Sequence, residues 1–508
     1  MKVANNQHLC NKVERIDSMN IMLDLNKLTY LRKVDPMLTS YNVEMTEVTG
    51  GTFWRSYTPG QIAGKEPFVA GTSFDTMMEY FPAVDLYDEK LRKLAKAIGP
   101  VWVRVSGSWA TKTYYDFDGH TGGKAPEGFQ SVLTKEQWVG VLDFVKFIGG
   151  KLLISMANCP GIHSREEDIK LDQAKLIFDF SKEYGVPVDA VEFVNEPNYI
   201  DITGFPKGYT VEDYGRDFDV FARWLRKEHP EVLLIGPSSA TTEKGIHPIL
   251  DDSGKYVRMA PTTDMLNACS EKCDIFSYHY YNGTSERGAA AGGHWDVAQA
   301  TSEDYLSVAE CAVRYYLKMS AKYIPGSPLW VTESGDAACG GNTWGSTYLD
   351  VIRSANELGI FTKLTDGIIF HNTLASSDYG WLDHHSFDPR PNYFLILLWN
   401  QLVGDKVYDA GMEAQEGAHV YAFNRKDGKE GAVYLVINNS LTETTTVEIP
   451  GEAEVYALTG NGSLRSSTML LNGKDLVLGE RNEIPEMTGL LAKRKVEVAS
   501  GSCTFIVI

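Results

Sequence analysis

Short apolar runs alternate with longer amphipathic segments from about residue 40 to residue 400. An apolar run of four to six residues bounded by turn residues predicts a buried strand, whereas apolar positions at a spacing of three and four predict a helix. Strands that alternate with helices form a parallel sheet. Eight strands are predicted in this region: 40–44, 101–105, 152–156, 190–195, 232–236, 275–279, 329–333 and 367–371. Eight strands are what a closed (β/α)8 barrel requires.

Helical periodicity supports this reading over 89–98, 136–147, 171–184, 211–228 and 302–319. From about residue 404 the pattern changes to short alternating strands separated by Asn, Gly and Asp turns, at 420–423, 432–437, 444–449 and 503–508. Such spacing predicts an antiparallel β-sandwich. We therefore expect a (β/α)8 TIM barrel at 36–403 with an appended antiparallel β-sandwich domain at 404–508, and an N-terminal segment, 1–35, that joins the sandwich.

Two of the predicted strands deliver a glutamate at their C-terminal ends, Glu196 and Glu333. In a (β/α)8 barrel that end carries the catalytic groups. Two carboxylates that face one pocket are the apparatus of glycoside hydrolysis. We expect Glu196 to be the general acid, Glu333 to be the nucleophile, and the Asn195 amide to bind a sugar hydroxyl.

The charge balance narrows the range of partners. The chain has 48 basic and 67 acidic residues, a net charge of −19, which disfavours nucleic acid and anionic membranes as partners. No apolar run is long enough to span a membrane, and no apolar leader is visible near the N-terminus. Seven scattered cysteines without a disulfide framework predict reduced thiols and a cytoplasmic location.

The sequence predicts no metal and no cofactor. Cys269 and Cys273 lack the second pair of ligands that a structural zinc site needs. His279 and His371 end two predicted strands, but no His-x-His pair typical of a metal-dependent amidohydrolase is present. Two carboxylates suffice for the predicted reaction.

A series of motifs makes the prediction more specific. In chain order they are Asn-Glu-Pro-Asn at 195–198, His-Tyr-Tyr at 279–281, Trp-Val-Thr-Glu at 330–333, Asp-Tyr-Gly-Trp-Leu at 378–382 and Phe-Asp-Pro-Arg-Pro-Asn-Tyr-Phe at 387–394. From about residue 40 to the C-terminus the chain resembles glycoside hydrolase family 79, the heparanase and β-glucuronidase family. The resemblance implies a clan A barrel with an attached β-sandwich and a retaining mechanism that acts on β-D-glucuronides.

The resemblance also implies roles for single residues. Glu196 matches the acid/base, Glu333 the nucleophile and Asn195 the hydroxyl-binding amide. Glu44, at the end of the first predicted strand, matches a carboxylate that binds sugar hydroxyls. His279 and Tyr280 lie at the end of the strand before that of the nucleophile, where Tyr280 or Tyr281 is placed to orient Glu333 and the resemblance favours Tyr280. Asp378, Tyr379 and Gly380 match the loop that holds the uronate carboxylate.

Two departures keep alternatives open. Ser377-Asp378-Tyr379 stands where the family usually has Gly-Asn-Tyr, and no tyrosine follows the nucleophile closely. An aspartate beside a bound carboxylate is repulsive unless it is paired or points away. A retaining β-glycosidase for a neutral or modified sugar, with Asp336 and Asp378 as hydroxyl acceptors, is therefore the main alternative. A carbohydrate-binding barrel without turnover is the second.

The expected substrate is a small glucuronide or an oligosaccharide. An endo-acting heparanase needs basic clusters along an open cleft, and this acidic chain has none near the motifs. Glycine-rich loops at 283–293 and 340–344 are long enough to wall the cleft into a pocket, with Trp295 and Trp344 lining an aglycone site. We therefore expect exo action. The sequence makes no prediction of the oligomeric state.

Overall fold

The computed structural model describes residues 19–71, 74–240 and 259–508. Its central element is a closed barrel of eight parallel strands, which confirms the predicted fold class. The strands, numbered here as the first to the eighth in chain order, are Thr39–Glu44, Trp102–Ser106, Lys151–Ser155, Ala190–Glu192, Leu233–Ser239, Ile275–Tyr281, Leu329–Gly335 and Ile369–His371.

Alternation along each strand separates the barrel interior from the helical layer. In the second strand, Val103 and Val105 face the core shared with the helices, whereas Trp102 joins a smaller cluster inside the barrel. Trp102, Trp330 and Phe370 close the N-terminal end of the barrel with ring contacts of 5.1 and 5.8 Å between centroids. Two residues further along the second strand, the inward position is Arg104, so the interior changes from apolar to charged.

One principal helix follows each barrel strand, as the alternating pattern predicts. These eight helices are Glu89–Ala97, Lys135–Ile148, Asp172–Tyr184, Val211–Glu228, Thr262–Ala268, Glu303–Tyr323, Tyr348–Leu364 and Pro391–Leu402. Shorter helices lie at Met45–Thr49, Pro59–Ile62 and Phe74–Met77, and two small sheets pair Gly51–Trp54 with Met78–Phe81 and Thr113–Asp116 with Ser131–Thr134.

The other part of the structure is a β-sheet assembly of ten described strands. They are Asn20–Met22, Thr29–Lys33, Val403–Asp409, His419–Arg425, Val433–Asn438, Thr445–Gly460, Met469–Leu471, Lys474–Asp475, Leu490–Val498 and Ser502–Val507. All pairings are antiparallel except that of Asn20–Met22 with Thr445–Gly460. Residues 19–35 thus supply two strands to this assembly, while residues 1–18 of the predicted N-terminal segment lie outside the described residues.

The barrel and the sheet assembly share one hydrophobic core. The helix Tyr348–Leu364 is buried on nearly all sides because it packs on the barrel with one face and on the sheet with the other. At its first residue, the Tyr348 hydroxyl donates to the carbonyl of Leu458, 2.6 Å away, and Gly359 lies against the ring of Tyr421.

In the part of the chain that the structure describes, no helix combines the length and the apolar character needed to cross a bilayer. The six described cysteines are all free thiols.

Candidate active site

Glu196 and Glu333 lie at the C-terminal ends of the fourth and seventh barrel strands, and their side chains converge. A carboxylate oxygen of each lies within 4.8 Å of the other and of a ring nitrogen of His279. Glu196 adopts a positive φ of 45° in the bend that follows the strand Ala190–Glu192, and keeps about 18% of its side chain exposed. Glu333 is more deeply buried, with 7% exposed.

Arg104 lies at the centre of this arrangement and is fully buried. Its guanidinium donates to Glu333 Oε1 at 3.0 Å, to Glu192 Oε2 at 2.8 Å and to Asn195 Oδ1 at 2.7 Å. Burial disfavours the charge on Arg104, but the carboxylates of Glu192 and Glu333 outweigh that cost and raise its pKa. One fixed cation therefore aligns the nucleophile candidate and the amide next to the acid candidate.

Glu192 anchors Arg104 from below. It accepts hydrogen bonds from the hydroxyls of Ser155 and Ser238, each at 2.7 Å, in addition to those from Arg104. Burial opposes its ionisation, yet the charge of Arg104 and these bonds lower its pKa below the ordinary value. Glu192 is thus an ionised structural counter-charge, which holds Arg104 in one orientation.

A chain of hydrogen bonds fixes the other oxygen of Glu333. The Tyr281 hydroxyl donates to Glu333 Oε2 at 2.8 Å and accepts from the side-chain amide of Asn372 at 2.9 Å. The prediction that Tyr280 orients the nucleophile is wrong for this contact. Tyr280 points to the opposite face of the strand because successive residues alternate, and its hydroxyl donates to Asn282.

His279 bridges the two glutamates. Burial lowers the pKa of His279 to about 4, so the ring is neutral at pH 7. Arg104 can only donate, which makes Nε2 of His279 the acceptor at 3.2 Å and leaves Nδ1 as the N–H group. That N–H points to Glu196 Oε1 at 3.0 Å and lies 3.5 Å from Glu333 Oε2.

The environments of the two glutamates differ in a way that suits an acid and a nucleophile. Burial raises the pKa of Glu196 to about 7, with Arg104 opposing the shift and Glu192 adding to it. Glu333, by contrast, has each of its oxygens held by a donor, Arg104 and Tyr281. Glu196 is therefore suited to act as a general acid, and Glu333 is held in a fixed orientation that suits a nucleophile.

Glu44 ends the first barrel strand and is buried beside Glu333. Burial, and then the charge of Glu333, raise its pKa well above the ordinary value, and burial raises the pKa of its neighbour Glu47 to about 8. Its Oε2 has no hydrogen-bond partner among the described residues. Gly107, with a φ of 91°, makes room for this oxygen, since a Cβ there would overlap it.

Tyr379 belongs to the same cluster. Its hydroxyl accepts from Asn372 at 3.2 Å, its ring stacks on that of Tyr281 at 6.2 Å, and its carbonyl lies 2.6 Å from Nε2 of His371. The loop turns tightly at Gly380, where a Cβ would lie only 2.8 Å from the carbonyl oxygen of Ser376.

Asp378 is buried and paired. Its Oδ2 lies 2.6 Å from the guanidinium of Arg287, and the backbone N–H of Tyr57 lies 3.3 Å from both carboxylate oxygens. The repulsion expected beside a uronate is thereby largely offset. Asp378 therefore stabilises the loop through its contacts with Arg287 and Tyr57, whereas Tyr379 faces the glutamates.

Three other residues have surroundings that differ from the expectation. Trp295 and Trp344 are 3% and 2% exposed, so the prediction that they line an aglycone site is wrong. Both side chains pack against the loops, and the indole N–H of Trp295 donates to the carbonyl of Asn282 at 2.9 Å. Asp336 is also buried and accepts the N–H of Asn342 at 2.8 Å.

The sequence prediction missed Arg104, Glu192, Arg287 and Asn372. Arg104 and Glu192 do leave a signal, because each is a charged residue in the middle of an otherwise apolar strand. A charge at such a position needs a buried partner. Arg287 and Asn372 lie in loops and leave no such signal.

Comparisons with known proteins identify relatives over most of the chain, although no family model matches it. Heparanase-like protein 1 of Arabidopsis thaliana is 24% identical over 489 residues, which cover 84% of this chain and 85% of the relative. Hyaluronoglucuronidase of Hirudo nipponia is 24% identical over 500 residues, covering 88% and 95%. Baicalin-beta-D-glucuronidase of Scutellaria baicalensis is 27% identical over 308 residues, covering 59% and 55%.

Solved structures agree in fold. A 4-O-alpha-L-rhamnosyl-beta-D-glucuronidase from Fusarium oxysporum superposes with a TM-score of 0.62 at 12% identity, over 96% of this chain and all of that one. An alpha-L-arabinofuranosidase from Thermotoga maritima gives 0.62 at 14% identity, over 97% and 100%. At these identities the likeness shows the fold alone. The sequence relatives, spread over barrel and sandwich alike, indicate a glycoside hydrolase that is similar to family 79, the heparanase and β-glucuronidase family.

Proposed function

We propose that the protein is a retaining, exo-acting β-glucuronidase. The observation that carries the proposal is the short separation of the Glu196 and Glu333 carboxylates, with oxygens within 4.8 Å of each other. Retaining glycosidases place their carboxyl groups about 5–5.5 Å apart, whereas inverting enzymes need about 6.5–9.5 Å to admit a water molecule between carboxylate and sugar.

In the first step, a carboxylate oxygen of Glu333 attacks the anomeric carbon as the bond from that carbon to the aglycone oxygen breaks. Glu196 gives its proton to the departing oxygen, so the aglycone leaves as a neutral alcohol. The hydrogen bonds from Arg104 and Tyr281 hold Glu333 in position for the attack.

In the second step, Glu196 is ionised and takes a proton from water. The oxygen of that water attacks the anomeric carbon, the ester bond to Glu333 breaks, and Glu333 leaves as a carboxylate. The raised pKa of Glu196, about 7, suits a group that must hold the proton in one step and accept it in the next.

Two further groups are proposed to bind the sugar. Arg104 engages Oδ1 of Asn195, which leaves the amide N–H₂ of Asn195 to donate to a hydroxyl beside the reacting carbon. The buried Oε2 of Glu44 is the matching contact for another hydroxyl. A buried polar atom that only the substrate satisfies gives selectivity, since an analogue without the hydroxyl leaves the atom unpaired.

The uronate assignment rests on the names of the relatives and on the loops that follow the seventh and eighth strands. Tyr379 faces the glutamates from the second loop. In the first loop, the N–H groups of Cys339 and Gly340 have no hydrogen-bond acceptor among the described residues. We propose that these donors, with the Tyr379 hydroxyl, bind the C6 carboxylate. The net charge of −19 favours a small glucuronide over a long polyanion.

One observation favours the alternative of a neutral or modified sugar. Arg104 and Arg287 are each paired with protein carboxylates, so neither charge is left for a uronate. Recognition of the carboxylate would then depend on neutral donors alone, which also suit a primary hydroxyl at C6.

The test is hydrolysis of 4-nitrophenyl β-D-glucuronide beside the β-glucoside, β-galactoside and β-xyloside. We expect release from the glucuronide, and a loss of about 1,000-fold or more in kcat for Glu333→Gln. Preference for a neutral glycoside would overturn the uronate assignment and keep the two-carboxylate mechanism. The anomer first released, followed by proton NMR, should be β; an α product would contradict retention.

A further inference from the structure

We propose that Arg287 is a positioning residue that joins four loops around the active site and thereby sets the affinity for the C6 substituent of the sugar. The inference rests on the proposed function for the identity of that substituent. Arg287 lies in the loop after the sixth barrel strand and is 3% exposed.

The guanidinium of Arg287 donates to all three neighbouring loops. One amino group donates to Asp378 Oδ2 at 2.6 Å and to the carbonyl of Arg55 at 2.5 Å. The other donates to the carbonyls of Cys339 at 3.3 Å and Gly341 at 3.0 Å. Arg55, Cys339 and Asp378 follow the first, seventh and eighth barrel strands, so one side chain links the walls on that side of the barrel mouth.

Tyr57 reinforces these links. Its ring packs on the guanidinium at 3.6 Å from the centroid, a cation–π distance, and its hydroxyl donates to the carbonyl of Gly341 at 3.0 Å. Its backbone N–H points to Asp378. Arg287, Tyr57 and Asp378 therefore form one buried cluster, called here the loop clamp.

The loop clamp is directly connected to the groups proposed to bind the C6 carboxylate. Asp378 precedes Tyr379, whose hydroxyl and ring contact Asn372 and Tyr281 beside the nucleophile. The carbonyl of Cys339 is held by Arg287, which constrains the peptide that carries the N–H of Gly340. A shift in the clamp should move both sets of donors relative to the sugar ring and leave the two glutamates in place.

Only arginine supplies the required donors. The guanidinium is planar and rigid and directs N–H groups to several acceptors at fixed angles, whereas a lysine ammonium is a point charge on a flexible stem. Asp378 cancels the charge of Arg287, so the clamp adds no net charge to the sugar site. Its effect on substrate should therefore come from geometry.

The experiment compares kcat and KM of Arg287→Lys and the wild type on the glucuronide and the glucoside. We expect KM for the preferred substrate to rise about tenfold or more, with kcat within about threefold, because misplaced binding groups weaken the ground state while Glu196 and Glu333 stay in register. The control is Arg226→Lys, which breaks a two-bond pair with Asp274 at the opposite end of the barrel. Its KM and kcat should match the wild type.

A double variant separates geometry from charge. Arg287→Met with Asp378→Asn removes both charges and leaves no buried carboxylate unpaired. If this double variant has the wild-type KM, the only role of Arg287 is to neutralise Asp378, and the proposed positioning role is overturned. If the double variant has a higher KM than the wild type and the same thermal unfolding, the result supports the positioning role of Arg287.

Tyr57→Phe gives a milder test should the arginine variants fail to fold. It removes the hydroxyl bond to Gly341 and keeps the ring, so KM should rise severalfold; an unchanged KM would contradict the clamp. If the wild type cleaves only a neutral glycoside, the proposed function fails, and the same KM comparison on that glycoside still tests the clamp.

Discussion

Adjacent residues of one strand have opposite surroundings in this site. Tyr281 faces the barrel mouth and donates to Glu333, whereas Tyr280 is buried toward Asn282. We predict that Tyr281→Phe lowers kcat/KM about 10- to 100-fold, because it removes a hydrogen bond to a charged group worth about 1.5–3 kcal/mol. Tyr280→Phe is the matched control and should stay within about threefold of wild-type kcat/KM. Equal losses in both variants would contradict this assignment.

The pH profile should report Glu196. A general acid works only while protonated, and the pKa of Glu196 is raised to about 7. We predict that kcat/KM falls above about pH 7 and that at high pH it falls tenfold for each pH unit. This decrease should be absent in Glu196→Gln. The variant should also lose more activity on an alkyl glycoside than on the nitrophenyl glycoside, whose leaving group needs little protonation. An alkaline limb that persists in the variant would assign the titration to another group.

The site residues that the strand pattern predicts are those at strand ends, whereas Asp378, Tyr379 and Gly380 are predicted only by the family resemblance. Glu196 and Glu333 come at the ends of apolar runs, so the pattern itself exposes them, whereas the role of Glu44 comes from the family resemblance. Arg104 was overlooked because its partner Glu192 lies 88 positions away, and only the barrel register brings the two together. The sequence does not distinguish Tyr280 from Tyr281. Which of the two side chains points into the barrel depends on the register shift between Tyr278 and His279, where the sixth strand pairs with the seventh.

At the scale of elements, the docking of the helix Tyr348–Leu364 on the sandwich depends on a missing side chain. A Cβ at Gly359 would overlap the ring of Tyr421. We predict that Gly359→Ala lowers the free energy of unfolding by about 1–3 kcal/mol. Replacing a helical glycine by alanine ordinarily raises it. The control is Gly140→Ala in the helix Lys135–Ile148, where the nearest atom lies 3.6 Å from the new Cβ.

Urea denaturation measures both changes. Gly140→Ala should stabilise the protein by up to about 1 kcal/mol, because alanine has less conformational freedom to lose. If Gly359→Ala stabilised the protein as well, the helix and the sheet would not be in the close contact described here.

The same helix explains why the sequence pattern misses two of the principal helices. Tyr348–Leu364 and Pro391–Leu402 are buried on most sides, so they lack the polar face that makes a helix recognisable. The predicted helices at 89–98, 136–147 and 211–228 each keep an exposed polar face, and their predicted bounds differ by at most one residue from the observed ones. Most barrel strands are recognisable because each contains a short apolar run bounded by turn residues.

For the whole molecule, the shared core predicts that barrel and sandwich unfold together. The strand Ser502–Val507 pairs on both sides, with Val433–Asn438 and Thr445–Gly460, and is buried along its length. Deletion of residues 502–508 should therefore abolish soluble expression of the entire chain, and calorimetry of the intact protein should show one transition. Two separate transitions, or a soluble active truncation, would show that the barrel is stable alone.

The apolar layer of Trp102, Trp330 and Phe370 limits the routes by which small molecules can enter and leave the active site. It closes the far end of the barrel, so in the proposed mechanism the aglycone must depart and the attacking water must arrive by the same opening. Any small alcohol that enters in place of water meets the same activated ester and the same base. We predict that methanol diverts part of the glycosyl-enzyme to the methyl glycoside with retained configuration, measurable by chromatography. Release of the free sugar alone at high methanol concentration would mean that water reaches the ester by a route alcohols cannot follow.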